Sequence, residues 1–181
     1  MQNKIVIGLV GEIASGKGTV ANYLISKYNA VSFRFSTPLR DVLTRMHVDI
    51  SRENMQTLST NLRQCFGQDL LAKIIAKDVR QSSNNIIVVD GIRRMEDIKH
   101  LRVLPEFKLV HVAADLEVRH SRIILRGENE DDNTKTLEQF KKDHEAETEL
   151  EIPKVAVNAD ILIDNNITVE ELYKKIDELI G

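Results

Sequence analysis

The glycine-rich stretch GEIASGKGT, which begins at Gly11, carries residue types that bind phosphate. Gly11 and Gly16 let the backbone turn tightly and approach an anion closely. Backbone N–H groups and the start of a following helix then point at phosphate oxygens, and Lys17 brings a positive charge to the outer phosphates. The spacing follows the phosphate-loop pattern G-x-x-x-x-G-K-[ST], except that Gly18 follows the lysine and the hydroxyl comes one residue later, at Thr19.

Two segments downstream hold charged residues that can serve such a loop. Asp90 ends the apolar run NIIVVD, where a carboxylate can hold Mg²⁺ through the water shell of the metal. Ser36 and Arg40 lie in the run RFSTPLRDVL. A guanidinium is always charged and can hold a phosphate through two parallel hydrogen bonds. Arg40 is therefore either a phosphate ligand or an exposed residue of an ordinary capped helix.

Three arginines in the run VRHSRIILRG lie three and four residues apart, at Arg119, Arg122 and Arg126. At this spacing they share one face of a helix. They can form a solvated basic stripe, or they can close over a transferring phosphoryl group and neutralise its oxygens. The acidic run GENEDDN follows, and its carboxylates are expected to hold these arginines rather than a metal.

Short apolar runs alternate along the chain with longer amphipathic ones, which is typical of an α/β domain with a parallel sheet. Strands are predicted at 4–10, 31–35, 86–89, 108–112 and 160–163. Helices are predicted at 17–28, 37–47, 53–66, 68–81, 94–103, 116–126, 136–149 and 169–180. The strands are apolar at odd and even positions, so helices should cover both faces of the sheet.

The composition limits the classes of protein that fit. The chain has 181 residues, is 42% hydrophobic and carries a net charge of −3, which indicates one globular domain without the basic bias of a nucleic-acid binder. Cys65 is the only cysteine, so no internal disulfide or thiolate zinc site can form. We find no signal-type segment and no apolar run of about 18 residues. A cytoplasmic protein without membrane or nucleic-acid partners is expected.

Several of these motifs resemble one group of enzymes. The GKGT form of the loop is similar to that of adenylate kinases and related nucleoside monophosphate kinases. The run DGIRR resembles the DGFPR of adenylate kinases and, more closely, the DGIR of archaeal adenylate-kinase-related proteins. STPLR is similar to a run in viral deoxynucleoside monophosphate kinases, and NADILIDNNI to the C-terminal segment of dephospho-coenzyme A kinases. The chain therefore resembles P-loop kinases of the nucleoside monophosphate kinase group over residues 4–176.

The resemblance implies a three-layer P-loop NTPase fold with a five-stranded parallel sheet flanked by helices. The chain would form one domain, 1–181, with an acceptor-binding helical insertion at 52–81 and a lid at 116–133. ATP and Mg²⁺ are the implied cofactors. The residues implied to bind the nucleotide are Gly11, Ala14, Ser15, Gly16, Lys17, Gly18, Thr19, Val20, Arg122 and Asn165.

The other implied roles concern the acceptor, the metal and the reaction. Ser36, Arg40 and Arg93 would bind the acceptor, although DGIRR lacks the proline of DGFPR and leaves the choice between Arg93 and Arg94 open. Asp90 and Thr19 would hold Mg²⁺, partly through water, with Thr19 mainly a phosphate ligand. The implied catalytic residues are Lys17, Asp90, Arg122 and Arg126.

The expected function is ATP-dependent phosphoryl transfer to a phosphorylated small molecule, with a nucleoside or deoxynucleoside monophosphate favoured. Dephospho-coenzyme A kinase activity and a nucleotide-dependent switch or regulatory ATPase are the alternatives. The guanine-reading motif N-K-x-D of GTP switches is missing from the sequence. Neither the acceptor nor the oligomeric state follows from the sequence.

Overall fold

The computed structural model describes residues 4–126, 133, 135–143 and 150–181, without the side chains of Arg126 and Asp143. The strands are β1 (Ile5–Val10), β2 (Val31–Arg34), β3 (Ile86–Asp90), β4 (Phe107–Ala113) and β5 (Ile161–Asp164). The helices are α1 (Lys17–Tyr28), α2 (Thr37–Arg45), α3 (Arg52–Phe66), α4 (Leu70–Gln81), α5 (Met95–Ile98), α6 (Leu116–Arg126), α7 (Leu137–Asp143), α8 (Ile152–Ala156) and α9 (Val169–Ile180).

The five strands form one parallel sheet in the order β2-β3-β1-β4-β5. β1 lies in the middle, and the chain leaves it in one direction for β3 and β2 and in the other for β4 and β5. In open α/β sheets, ligands bind at the carboxyl edge where the strand order reverses. The topology therefore places the glycine-rich loop, which follows β1, at the centre of this edge.

The two faces of the sheet belong to two separate hydrophobic clusters. Along β1, Val6 and Val10 lie in the cluster that includes side chains of α2, α4 and α8, whereas Ile7 and Leu9 lie in the cluster formed with α1 and α9. All four side chains are fully buried. Burying a side chain of this size contributes about 1.5–3 kcal/mol, so both helical layers are held tightly to the sheet. The α/β three-layer fold that the sequence predicts is confirmed.

Local signals explain where three helices begin. Ser51 precedes α3 and its hydroxyl accepts the N–H of Asn54. Thr168 and Glu171 form a reciprocal capping box at the start of α9, in which each side chain accepts a backbone N–H of the other residue. Pro38 occupies the first turn of α2, where the missing N–H costs nothing.

The observed strands agree with the predicted ones to within one residue at each end. The described ends of the helices agree with the predicted ones to within two residues, apart from two larger differences. The helix predicted over 94–103 ends at Ile98, since the chain then forms tight turns such as Leu101 N–H to Ile98 O and Leu104 N–H to Leu101 O before Pro105 and β4. The short helix α8 was not predicted, and residues 144–149 of the predicted helix 136–149 lie outside the described part. In that described part, no helix is both long and apolar enough to cross a membrane.

Candidate active site

The loop after β1 adopts a conformation that depends on its glycines. Gly16 has φ +106°, directly before the first residue of α1, and a Cβ at this position would collide with Nδ2 of Asn165. A Cβ at Gly11 would collide with the carbonyl oxygen of Val112 on β4. The loop therefore lies closely against β4 and the end of β5, with the N-terminus of α1 open toward the carboxyl edge.

Three other loop residues have distinct surroundings. Lys17 is half-buried, and its Nζ donates to the carbonyl oxygens of Gly11 and Glu12 at 2.6 and 2.8 Å. Ala14 has φ +60°, a left-handed conformation that costs a non-glycine residue about 1–2 kcal/mol. Such strain is typical of ligand-binding loops. Ser15 is buried, and within the described part its hydroxyl has no hydrogen-bond partner.

Two side chains hold the back of this loop. Nδ2 of Asn165 donates to the carbonyl oxygen of Ser15 at 2.7 Å, and Asn165 is almost completely buried. Arg122 on α6 donates to the carbonyl of Asn165 at 2.7 Å and to that of Ser15 at 3.4 Å. The amide of Asn165 is thus engaged with the loop, and its role in binding the nucleotide stays a prediction. Arg122 lies beside the loop, as a phosphate ligand would.

Arg119, the first arginine of α6, is buried and binds other parts of the protein. Its guanidinium is 4% exposed and donates to the carbonyls of Ala114 and Ile13 at 3.0 and 3.3 Å. Its Nη2 lies 3.0 Å from a carboxylate oxygen of Glu12, and its guanidinium lies over the ring of Phe140. Arg119 on α6 therefore contacts both the loop and α7.

Asp90 ends β3, next to the loop, and its carboxylate is mostly buried. Nε of Arg34, its register partner on β2, lies 3.5 Å from Oδ2. The donor set fits Mg²⁺, because this ion binds few protein carboxylates and keeps several waters together with phosphate oxygens. Asp90 would hold the ion, and Thr19, half-buried in the first turns of α1, lies on the neighbouring element. Mg²⁺ would neutralise charge on the outer phosphates.

The residues expected to bind the acceptor lie on the other half of the carboxyl edge. Ser36 is the residue before α2, and its carbonyl accepts the N–H of Arg40, whose side chain is exposed. Arg93 is exposed and Arg94 half-buried. The N–H groups of both donate to Oδ2 of the buried Asp97 at 3.0 Å. Burial raises the pKa of Asp97, and these two N–H bonds oppose the shift.

The remaining predicted site residues fall into three positions. The side chain of Val20 is fully buried in the core and its N–H donates to the carbonyl of Gly16, so Val20 lies beneath the loop. Gly18 is exposed in the first turn of α1. The side chain of Arg126, and the part of the predicted lid at 127–132, lie outside the described residues.

Sequence reasoning missed several charged residues of this edge. The sequence pattern places Arg34 inside the strand predicted at 31–35 and assigns no role to Glu12. Arg63 on α3 and its partner Asp97 lie 34 positions apart, and neither belongs to a motif. The one available signal was that Arg34 and Asp90 end neighbouring apolar runs, so that a parallel pairing of those strands would bring them together.

Comparison with known proteins supports this description of the fold. A UPF0200 protein of Methanosarcina barkeri is 28% identical over 178 residues, covering 97% of this chain and 94% of the relative. The crystal structure of TT1252 from Thermus thermophilus superposes with a TM-score of 0.65 at 17% identity, covering 98% of this chain and 97% of that one. Shikimate kinase from Aquifex aeolicus superposes with a TM-score of 0.58 at 20% identity, covering 97% and 96%.

The structural similarities show the fold alone, which is that of the P-loop kinases. A family profile described as an AAA domain matches residues 10–141, which include the loop, Asp90 and the arginines of α6. This match covers well over half of the chain, from the end of β1 to α7. The chain therefore belongs to this AAA domain family of P-loop proteins.

Proposed function

We propose that this protein transfers the terminal phosphoryl group of ATP to a small molecule that already carries a phosphate, with a nucleoside monophosphate as the favoured acceptor. The observation that carries the proposal is the division of charge along the carboxyl edge. The loop and Lys17 serve one phosphate group, while Arg40 and Arg93, which follow β2 and β3, offer cations to a second.

The chemistry requires little more than positioning and charge neutralisation. A phosphate acceptor at neutral pH already carries a nucleophilic oxygen, so no general base is needed. That oxygen attacks the terminal phosphorus while the bond to the bridging oxygen breaks, and ADP leaves. Lys17 and Arg122 are placed to offset the charge that spreads over the transferred group. Arg122 is partly buried, and this burial lowers the pKa of its guanidinium. The side chain still keeps its charge, because arginine is not deprotonated in proteins.

The test is a coupled assay of ADP release with ATP·Mg²⁺ and single acceptors. The acceptors are AMP, GMP, CMP, UMP, dTMP and dephospho-coenzyme A, with shikimate and gluconate as acceptors that carry no phosphate. We expect turnover with at least one phosphorylated acceptor and none with the two others. ATP hydrolysis that no acceptor changes would favour the regulatory ATPase instead.

A matched pair of lysine variants ties the activity to the loop. Lys17→Ala should lower kcat/KM by about 100-fold or more, which is the usual effect of removing one preorganised group that stabilises charge in a transition state. Lys174→Ala, at an exposed residue of α9, removes the same charge outside the predicted sites and should leave kcat/KM unchanged. Equal activity of the Lys17 variant and the parent protein would rule out this loop as the ATP site.

A further inference from the structure

Arg63 is a mostly buried cation with few partners among the residues that the structure describes. It lies on α3, and its side chain is 11% exposed. Its Nη2 lies 3.7 Å from Oδ1 of Asp97, which is longer than a hydrogen bond. Among the residues that the structure describes, Nε of Arg63 has no hydrogen-bond partner. A guanidinium removed from water usually gains several hydrogen bonds, and burial without them costs several kcal/mol.

Asp97 does not compensate fully for this charge. Oδ2 of its carboxylate already accepts the N–H groups of Arg93 and Arg94 at 3.0 Å each. A carboxylate that served only as the partner of Arg63 would meet the guanidinium at hydrogen-bond distance, with both oxygens where possible. The distance of 3.7 Å instead leaves the donors of Arg63 available to an anion. Burial lowers the pKa of Arg63 and Asp97 opposes the shift, so the side chain stays charged.

The position of Arg63 in the fold indicates which ligand could contact it. Leu58 and Leu62, on the same helix, pack against the core cluster that includes Phe35 and Leu39, which holds α3 over the β2 side of the sheet. Asp97 belongs to the segment that follows β3 at the carboxyl edge. Arg63 therefore lies between the helical insertion and the loop that contains Arg93, on the half of the edge away from β4 and β5.

We infer that Arg63 is a ligand of the phosphate group of the acceptor, held in place by Asp97 until the acceptor binds. This inference rests on the proposed function and names a residue of its acceptor site. A phosphate brings two negative charges and three acceptor oxygens, which satisfy the Nη donors of Arg63 that Asp97 leaves without a hydrogen bond. An uncharged acceptor does not supply this charge.

The test measures phosphate binding without turnover. The loop is first saturated with ADP·Mg²⁺, and inorganic phosphate is then titrated at constant ionic strength while the thermal unfolding midpoint is recorded. We expect phosphate to raise the midpoint of the parent protein. Arg63→Met should weaken the apparent phosphate affinity at least tenfold, whereas Lys174→Met, which removes an exposed positive charge of α9, should stay within twofold.

Other results of the titration would contradict the role of Arg63 as a phosphate ligand. The assignment would be overturned if phosphate did not stabilise the parent protein, if Arg63→Met left the affinity unchanged, or if Lys174→Met weakened it equally. If Arg63→Met does not fold, Arg63→Lys replaces it, because lysine keeps the charge and loses the planar fork. A weakening of threefold or more by Arg63→Lys supports the assignment, and an unchanged affinity contradicts it.

The assay of ADP release separates this inference from the proposed function. Loss of phosphate binding in Arg63→Met without turnover of any monophosphate by the parent protein would retain the anion site and refute the kinase proposal. Turnover of a monophosphate with an unchanged acceptor KM in Arg63→Met would retain the kinase and refute the role of Arg63.

Discussion

Gly16 and Gly18 flank Lys17 and have opposite surroundings. A Cβ on Gly16 would meet a buried amide, and its φ of +106° is unfavourable for any other residue, whereas a Cβ on Gly18 would meet nothing within 4 Å. We predict that Gly16→Ala lowers the free energy of unfolding by about 2 kcal/mol or more. Gly18→Ala should raise it by up to about 1 kcal/mol, because alanine favours the helix.

Urea unfolding of the two variants and the parent protein measures this difference. Because both changes add one methyl group to the same loop, the size of the side chain cannot explain opposite signs. Equal destabilisation by the two variants would contradict the placement of Gly16 against Asn165.

Arg119 and Arg122 lie three residues apart on α6 and should respond differently to the same substitution. Arg119 is buried and paired with Glu12, which is partly exposed, so Arg119→Met should destabilise the protein by about 2–3 kcal/mol. Arg122→Met loses contacts with two carbonyls and should cost about 1 kcal/mol, while it lowers kcat. Thermal unfolding and the ADP-release assay, applied to both variants, check this. If Arg119→Met lost less stability than Arg122→Met, the contacts of Arg119 would not be what holds the loop to α6.

The residues that sequence reasoning found and missed differ in one respect. Gly16, Lys17 and Asp90 lie in runs whose spacing alone indicates phosphate chemistry. Arg63 and Asp97, in contrast, depend on a contact between α3 and the segment after β3. The face of an amphipathic helix that carries an arginine does not reveal whether another element will cover it. The tertiary structure is needed to identify a buried, poorly paired cation.

At the scale of elements, helices α1, α6 and α9 were predicted with their observed ends. Each begins after a clear signal, such as Gly16 before α1 or Thr168 with Glu171 before α9. Helix α5 is shorter than predicted because its apolar periodicity continues into turns that lead to Pro105. The periodicity of apolar residues indicates which side chains are buried. Consecutive turns can bury apolar side chains at the same spacing as a helix does.

Helices α1 and α9 are joined by a polar cluster around Asp177. Its carboxylate accepts hydrogen bonds from the hydroxyls of Tyr23 and Tyr28 and from Nζ of Lys27, at 2.7–3.1 Å. The rings of Tyr23 and Tyr173 stack beside it, with centroids 3.9 Å apart. These donors favour the ionised carboxylate and hold the pKa of Asp177 below its usual range.

The sign of the pH dependence follows from the lowered pKa. The contribution of Asp177 to stability is complete above the pKa of an unfolded aspartate, about 3.9, and is lost as the pH falls through the lower pKa of the folded protein. We predict that Asp177→Asn reduces stability at pH 7 and weakens its decline below pH 4. Urea unfolding from pH 3 to 7 measures both, with Asp164→Asn at the exposed end of β5 as the control. Parallel curves for Asp177→Asn and the parent protein would contradict the role of this cluster.

In the molecule as a whole, the strand order separates the residues predicted to bind ATP from those predicted to bind the acceptor. Apolar periodicity predicts five strands but not their neighbours, so the order β2-β3-β1-β4-β5 needed either the resemblance or the structure. With β1 in the middle, Asn165 and Arg122 reach the loop from the β4 and β5 side. Arg40 lies on the helix that follows β2. ATP and the acceptor should therefore be served by residues from opposite halves of the sheet.

This division predicts opposite kinetic effects for two variants. Asn165→Ala releases the carbonyl of Ser15 and should raise the KM for ATP about tenfold, since one buried hydrogen bond contributes about 1.4 kcal/mol, while the KM for the acceptor changes less than about twofold. Arg40→Met should do the reverse. Lys174→Met, exposed on α9, should change neither constant. Steady-state rates with each substrate varied in turn give both values. If both variants raised the same KM, the two substrates would not be divided between the halves of the sheet.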